Sequence, residues 1–175
     1  MRCFIALEVP DGFRDEVAAL ARQVKDTVPG RYPSPETYHL TLAFLGEVSE
    51  QEARLAMDAI DASCEGVGPI RLHPEGLGKF GRRGDATLWL GLAEDEEMKA
   101  LASSIREELS VRGVGFDGKA FKPHLTIARR AKLPGDGLAG LPFPHDAEAS
   151  LVTLFKSTLG SGGATYKALY SRELA

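Results

Sequence analysis

Cysteine is scarce: the chain of 175 residues holds two, Cys3 and Cys64. Two cysteines cannot build a disulfide framework or a zinc site. Cys3 stands in an apolar run and is read as a small buried hydrophobe, which fits a reducing, cytoplasmic setting. Long apolar runs are missing as well. No stretch approaches the roughly 20 residues that a membrane-spanning helix needs. The apolar start at residues 1–7 is interrupted at once by Glu8, Pro10 and Asp11 and lacks a small-residue cleavage pattern, so it reads as a strand rather than a signal peptide. An excess of basic charge is also lacking. The net charge of −4 excludes a broadly basic nucleic-acid coat protein, but leaves room for a local grip on one anion. Histidine occurs four times, and His73 and His145 stand in proline-flanked, loop-like contexts that read as surface. No cluster has the converging ligands of a metal site, so neither metal nor cofactor is expected.

What remains is ordinary in bulk. Hydrophobic residues make up 43% and charged residues 26%, as in a globular protein. The length suits one domain over residues 1–175 with a real core. No exposed apolar helix or heptad asks for a partner, so a monomer is expected.

One short pattern occurs twice. His39-Leu40-Thr41-Leu42 and His124-Leu125-Thr126-Ile127 both read His-apolar-Thr-apolar, with the histidines 85 residues apart. Strict alternation marks a strand, where side chains i and i+2 share a face. Each copy thus places a His and a Thr side by side, with its aliphatic residues turned to a core. Two imidazoles and two hydroxyls are the parts for acid–base chemistry on a phosphate.

The surrounding pattern repeats too. A buried strand over residues 3–9 leads into a helix from Asp11 to about Thr27, carried by Phe13, Val17, Leu20, Ala21 and Val24. Pro29-Gly30 ends it, and the His39 strand follows. Ser49 and Glu52 form a capping-box pattern for a second helix. Ile70 and Leu72 suggest a strand, residues 76–85 a glycine-rich loop, and residues 86–92 a strand with Trp89. A helix over residues 94–111 has Met98, Leu101, Ile105 and Leu109 on one face, and the His124 strand follows. Residues 133–147 read as a surface loop. Residues 151–159 and 165–170 read as a closing hairpin about Gly160-Ser161-Gly162-Gly163. Strand, helix and His-strand therefore recur over residues 3–45 and 86–128. Phe4 precedes His39 by 35 residues, and Leu88 precedes His124 by 36. This predicts two pseudo-symmetric lobes in one folding unit, with the histidines facing each other across a cleft.

At these residues the chain resembles the 2H phosphoesterases, specifically the RNA 2′,3′-cyclic phosphodiesterases also called 2′-5′ RNA ligases. The resemblance runs from Arg2-Cys3-Phe4-Ile5-Ala6-Leu7 through His39-Leu40-Thr41-Leu42-Ala43-Phe44-Leu45-Gly46, Gly76-Leu77-Gly78-Lys79-Phe80 and Phe121-Lys122-Pro123-His124-Leu125-Thr126 to the tail between Ser157 and Tyr166. It implies a bilobal α+β fold, with antiparallel sheets and outer helices around a central cleft. It implies hydrolysis of RNA 2′,3′-cyclic phosphate ends, or of nucleotides carrying that group, to 2′-phosphomonoesters. His39 falls on the family's proton donor and His124 on its proton acceptor, with Thr41 and Thr126 on the motif threonines and Arg129 on the family's arginine. Two other readings use the same residues: 2′-5′ ligation, in which a 5′-hydroxyl replaces water, and an RNA-binding module without chemistry.

Several further residues have two readings each. Strict alternation puts Arg130, not Arg129, on the face of His124 and Thr126, so either arginine is a candidate for the phosphate. It also turns Phe44 away from the motif face, toward core packing rather than base stacking. Residues 119–132 carry Lys119, Lys122, Arg129, Arg130 and Lys132 without an acid, either to steer RNA ends or as a solvated strand edge. Lys79-Phe80-Gly81-Arg82-Arg83 reads as a nucleotide contact or a flexible hairpin end. Gly76-Leu77-Gly78 lacks the strand–helix context of a phosphate-cradling loop. Tyr166 reads as a substrate contact or a cross-strand aromatic.

Overall fold

The structure is a computed structural model and describes residues 1–135, 138 and 140–175. In chain order its elements are β1 (Arg2–Glu8), α1 (Asp11–Lys25), a short 3-10 turn (Pro35–Thr37), β2 (His39–Glu47), α2 (Glu50–Cys64), β3 (Ile70–Leu72), β4 (Pro74–Arg82), β5 (Asp85–Leu92), α3 (Glu96–Val111), β6 (His124–Ala131), β7 (Ala147–Ala149), β8 (Leu151–Gly160) and β9 (Gly163–Glu173). The strands form a four-stranded sheet in the order β2-β1-β8-β9, a three-stranded sheet β4-β5-β6 and a two-stranded pair β3-β7. Every pairing is antiparallel. This is the expected α+β architecture with two lobes.

Burial explains the elements. Along β1, Cys3, Ile5 and Leu7 join the main core, while Phe4 and Ala6 join a smaller cluster with Phe155 on the opposite face. A strand buried on both faces needs a continuous apolar sequence, which is what residues 3–7 supply. Helix α1 covers the main core with Phe13, Val17, Leu20, Ala21 and Val24. Ser49 caps α2 in a reciprocal capping box with Glu52. Asp95 caps α3, accepting from the Met98 N–H at 2.9 Å, ahead of an acidic first turn that suits the positive end of the helix.

One sequence expectation changes. Residues 76–85 are not a loop: Pro74–Arg82 is strand β4, paired with β5 along nearly its whole length. Its glycines look like strand breakers, but one has a packing reason. A Cβ on Gly78 would lie 2.1 Å from the Trp89 ring, so the indole occupies the space a side chain would take. The segment of residues 133–147 is without helix or strand among its described residues up to Ala147, which opens β7 and its pairing with β3; Asp136, Gly137 and Ala139 lie outside the described residues.

The repeat is visible in the topology. The units β1–α1–β2 and β5–α3–β6 each pair two antiparallel neighbours across a helix, and each leaves its motif strand on the edge of its sheet. β2 and β6 meet at the boundary between the lobes.

Candidate active site

Both motif strands carry a bulge just after the threonine. In the first, His39 stands opposite Glu8 and Thr41 opposite Ala6, but Ile5 is opposite Ala43. Leu42 is the extra residue. In the second, His124 stands opposite Gly91 and Thr126 opposite Trp89, but Leu88 is opposite Ala128, with Ile127 extra. A bulge sends two successive side chains to one face and reverses the phase of the residues beyond it. Leu42 and Ala43 are thus both buried, as are Ile127 and Ala128. The residue five after each histidine, Phe44 or Arg129, returns to the motif face and lines the cleft. This corrects the alternation that turned Phe44 to the core.

A second irregularity follows in β6, where two residues of β5 span three of β6. Arg130 sits there at φ 49°, a left-handed conformation uncommon for a residue with a side chain. Its side chain is exposed and outside the cleft lining. The arginine in the cleft is Arg129.

The cleft encloses about 700 Å³ and brings His39, Thr41, Phe44, Thr126, Arg129 and Tyr166 together. His124 is not in that lining; it stands two residues before Thr126 on β6. The His124 Nδ1 lies 2.6 Å from the Lys122 carbonyl. A carbonyl only accepts, so Nδ1 carries the proton and Nε2 is left for chemistry. Lys122 itself is not part of the lining: its Nζ stands 4.7 Å over the Trp89 ring and 5.5 Å from Phe80. The His124 ring meets Phe80 edge-on at 5.4 Å, so the Lys79–Phe80 segment supports this histidine from a strand.

His39 has a drier bed. Its ring packs 4.3 Å from Phe155, 5.6 Å from Tyr166 and 6.3 Å from Phe4, centroid to centroid. Tyr166 is both a cross-strand aromatic, opposite Ser157, and a wall of the cleft. Burial, reinforced by the positive charge of Arg14, lowers the His39 pKa to about 4, partly offset by the Thr37 backbone. The Nδ1 of His39 is buried with no partner at ordinary hydrogen-bonding geometry. In the free protein His39 is therefore neutral at pH 7.

The lining includes three arginines, Arg2, Arg31 and Arg129, and no carboxylate. Arg2 stacks over the Phe44 ring at 4.9 Å. Sequence reasoning missed Arg31, Phe155 and Arg106. Arg106 donates from Nε to the Leu42 carbonyl at 3.1 Å and from Nη1 to the Lys119 carbonyl at 2.7 Å. Helix α3 thereby holds the first motif's bulge and the approach to the second. Phe44's carbonyl accepts from the Asp117 N–H at 2.8 Å, a second tie between the lobes.

The basic run of residues 119–132 does not act as one patch. Lys119 faces Asp117 at 3.9 Å, Lys122 stands on aromatic rings and Arg129 enters the cleft. His73 and His145 are tied to Asp146 and Glu16. Among the described residues no group of three or more His, Cys, Asp or Glu side chains could hold a metal ion. No helix among them is long and apolar enough to cross a membrane.

Comparison with known proteins gives this geometry its context. A relative from Archaeoglobus fulgidus named RNA 2′,3′-cyclic phosphodiesterase is 34% identical over 131 residues, covering 74% of this chain and 72% of its own. One of the same name from Thermus thermophilus is 34% identical over 178 residues, covering 97% and 88%. The crystal structure of Escherichia coli LigT complexed with 3′-AMP superposes with a TM-score of 0.81 at 25% identity, covering 99% of this chain and 97% of that one. Residues 9–136, which include both histidine motifs and Arg129, match the 2′-5′ RNA ligase superfamily, and the chain belongs to it.

Proposed function

We propose that this protein hydrolyses RNA 2′,3′-cyclic phosphate ends to 2′-phosphomonoesters, using His39 and His124 as a proton-transfer pair. The observation that carries the reading is the convergence of both His-x-Thr strands on one cleft lined by arginine without a carboxylate. The relatives' names and the 3′-AMP bound to the Escherichia coli protein support it.

Water attacks phosphorus, the new P–O bond forms, and the bond to the ribose 3′-oxygen breaks opposite it. Nε2 of His124, freed by the Nδ1 bond to Lys122, takes the water proton. His39 gives a proton to the departing 3′-oxygen. Thr41 and Thr126 hydroxyls donate to the non-bridging oxygens as negative charge grows there, and Arg129 supplies a full positive charge. Imidazole and guanidinium provide both the proton transfers and the charge.

His39 is neutral in the free protein, yet the acid must arrive protonated. The phosphate resolves this: an anion beside the ring favours imidazolium and opposes the desolvation that lowered the pKa. Substrate binding and proton uptake are then one coupled event.

The test is incubation of the purified protein, with EDTA, with an oligoribonucleotide ending in a 2′,3′-cyclic phosphate. A 2′-phosphate end, absent with His124→Ala, is the expected product. A 3′-phosphate end reverses the leaving oxygen and the role of His39. Joined RNA points to the ligase, and binding without turnover to a module without chemistry. The same reading takes residues 1–175 as one unit acting as a monomer in the cytoplasm, in keeping with two buried free thiols; sedimentation checks the first part and cell fractionation the second.

A further inference from the structure

The loop after α1 reaches across to the second lobe and pairs with β6. The Arg31 N–H donates to the Arg129 carbonyl at 2.8 Å, and the Arg129 N–H donates to the Arg31 carbonyl at 2.8 Å. The Lys132 N–H continues the pairing to the Pro29 carbonyl at 2.9 Å. Such close approach depends on Gly30: a Cβ there would lie 3.1 Å from both the Ala131 Cα and the Arg129 carbonyl oxygen.

A reciprocal antiparallel pair puts two side chains directly opposite each other on one face, with Cα atoms about 5.5 Å apart. Here both are arginines. Like charges in that arrangement repel, and neither has a carboxylate partner among the described residues. By contrast Arg14, Arg54, Arg71, Arg112 and Arg172 each face an acid. Two guanidinium groups without an acid partner among the described residues, in a cleft whose lining holds no carboxylate, make a site for anions.

The two arginines do not serve the same place. Arg129 shares its strand and face with Thr126. The Arg31 guanidinium instead lies against the turn between β8 and β9, its Nη2 3.1 Å from the position of a Cβ on Gly163. That turn lies past Ser157, which is opposite Arg2 on one side and Tyr166 on the other, and Tyr166 packs its ring 5.6 Å from that of His39. Arg31 therefore lines the cleft at its hairpin end, three residues of β9 beyond the tyrosine that walls His39.

We propose that Arg31 binds the phosphate on the 5′ side of the terminal nucleotide, a second phosphate subsite beside the one at Arg129. It would let the protein prefer a cyclic end that belongs to an RNA chain, or to a 5′-phosphorylated nucleotide, over a nucleoside 2′,3′-cyclic phosphate. The inference rests on the cyclic phosphate being opened between His39 and His124.

The experiment measures kcat/KM for wild type, Arg31→Gln, Arg31→Lys and Arg129→Gln on three probes. These are adenosine 2′,3′-cyclic phosphate, the same nucleotide with a 5′-phosphate, and a diribonucleotide ending in a 2′,3′-cyclic phosphate. Wild type should favour the second and third probes over the first. In Arg31→Gln that preference should fall by roughly 10- to 100-fold, the worth of a charge-assisted contact, and Arg31→Lys should restore part of it. Arg129→Gln should slow all three probes alike. Equal loss on all three with Arg31→Gln, or no loss on any, overturns the proposal. Loss on the diribonucleotide alone also overturns it, since that marks a contact to the second base. A wild type that opens none of the probes removes the phosphodiesterase reading itself, and the proposal with it.

Discussion

Phe44 and Arg129 occupy equivalent places: each stands five residues after a motif histidine, and each is returned to the cleft by a bulge that follows a motif threonine. The two lobes use one backbone device to deliver two different chemistries, an aromatic face from one side and a positive charge from the other.

The bulge separates two adjacent arginines by role. Arg129→Ala should lower kcat by roughly 10²–10³, as loss of a transition-state charge partner does, while Arg130→Ala should change it less than about threefold. Steady-state rates on a cyclic-phosphate oligonucleotide decide this. Because Arg130 is at φ 49°, Arg130→Gly should stabilise the fold by about 1 kcal/mol; a lower urea midpoint instead would show that its side chain does something the exposed position hides.

His39 should titrate near pH 4 in the free protein, from the burial and the Arg14 charge that lower it to about 4. Addition of 2′-AMP should raise that value, because an anion favours the imidazolium. Imidazole NMR shifts recorded from pH 3 to 8 measure both. The sign for stability comes from the same shift. The unfolded imidazole has a pKa near ~6.5, so the unfolded chain takes up the proton first. The contribution of a neutral His39 is fully present above that value and is lost as pH falls toward 4. His39→Phe should flatten this part of the stability curve.

Gly78→Ala drives a methyl into the Trp89 ring, with a Cβ 2.1 Å from the indole. Overpacking of this kind costs about 1–3 kcal/mol. Since Trp89 and Phe80 flank His124, the rate should fall as well. A double variant, Gly78→Ala with Trp89→Leu, should recover part of the stability but not the rate.

Arg106→Met keeps the length and apolar stem of the side chain but removes its bonds to Leu42 and Lys119. Loss of donors to two carbonyls should cost about 1–3 kcal/mol. The bulge beneath Thr41 loosens with it, so kcat should fall more than KM rises. A drop in stability with unchanged kcat would confine Arg106 to holding the lobes together.

The pattern of the sequence shows the motif residues because strands have period two and both motifs obey it for four residues. It fails at the fifth, where Ala43 and Ala128 turn to the core beside Leu42 and Ile127. A bulge has no signature in an alternation rule, so alternation assigns Phe44 and Arg130 to the wrong faces. Strand β4 is hidden for a related reason: Gly76, Gly78 and Gly81 look like turn residues until Trp89 is seen lying over one of them. Arg31 cannot be found at all from local pattern. Its place is set by a backbone pairing with Arg129, 98 residues away in the chain. Phe155 joins His39 only because the last hairpin returns to the first strand.

That return matters for the chain as it is made. β1 lies between β2 and β8, so from the time it leaves the ribosome one edge stays bare until residues 151–160 are synthesised. An apolar strand with an open edge invites wrong partners, and long-range pairing of this kind is slow to form. The bed of His39, which takes Phe4 from the beginning and Phe155 and Tyr166 from near the end, is among the last parts to be assembled. A ribosome-bound chain lacking its final hairpin would carry both histidine motifs and still have no working cleft.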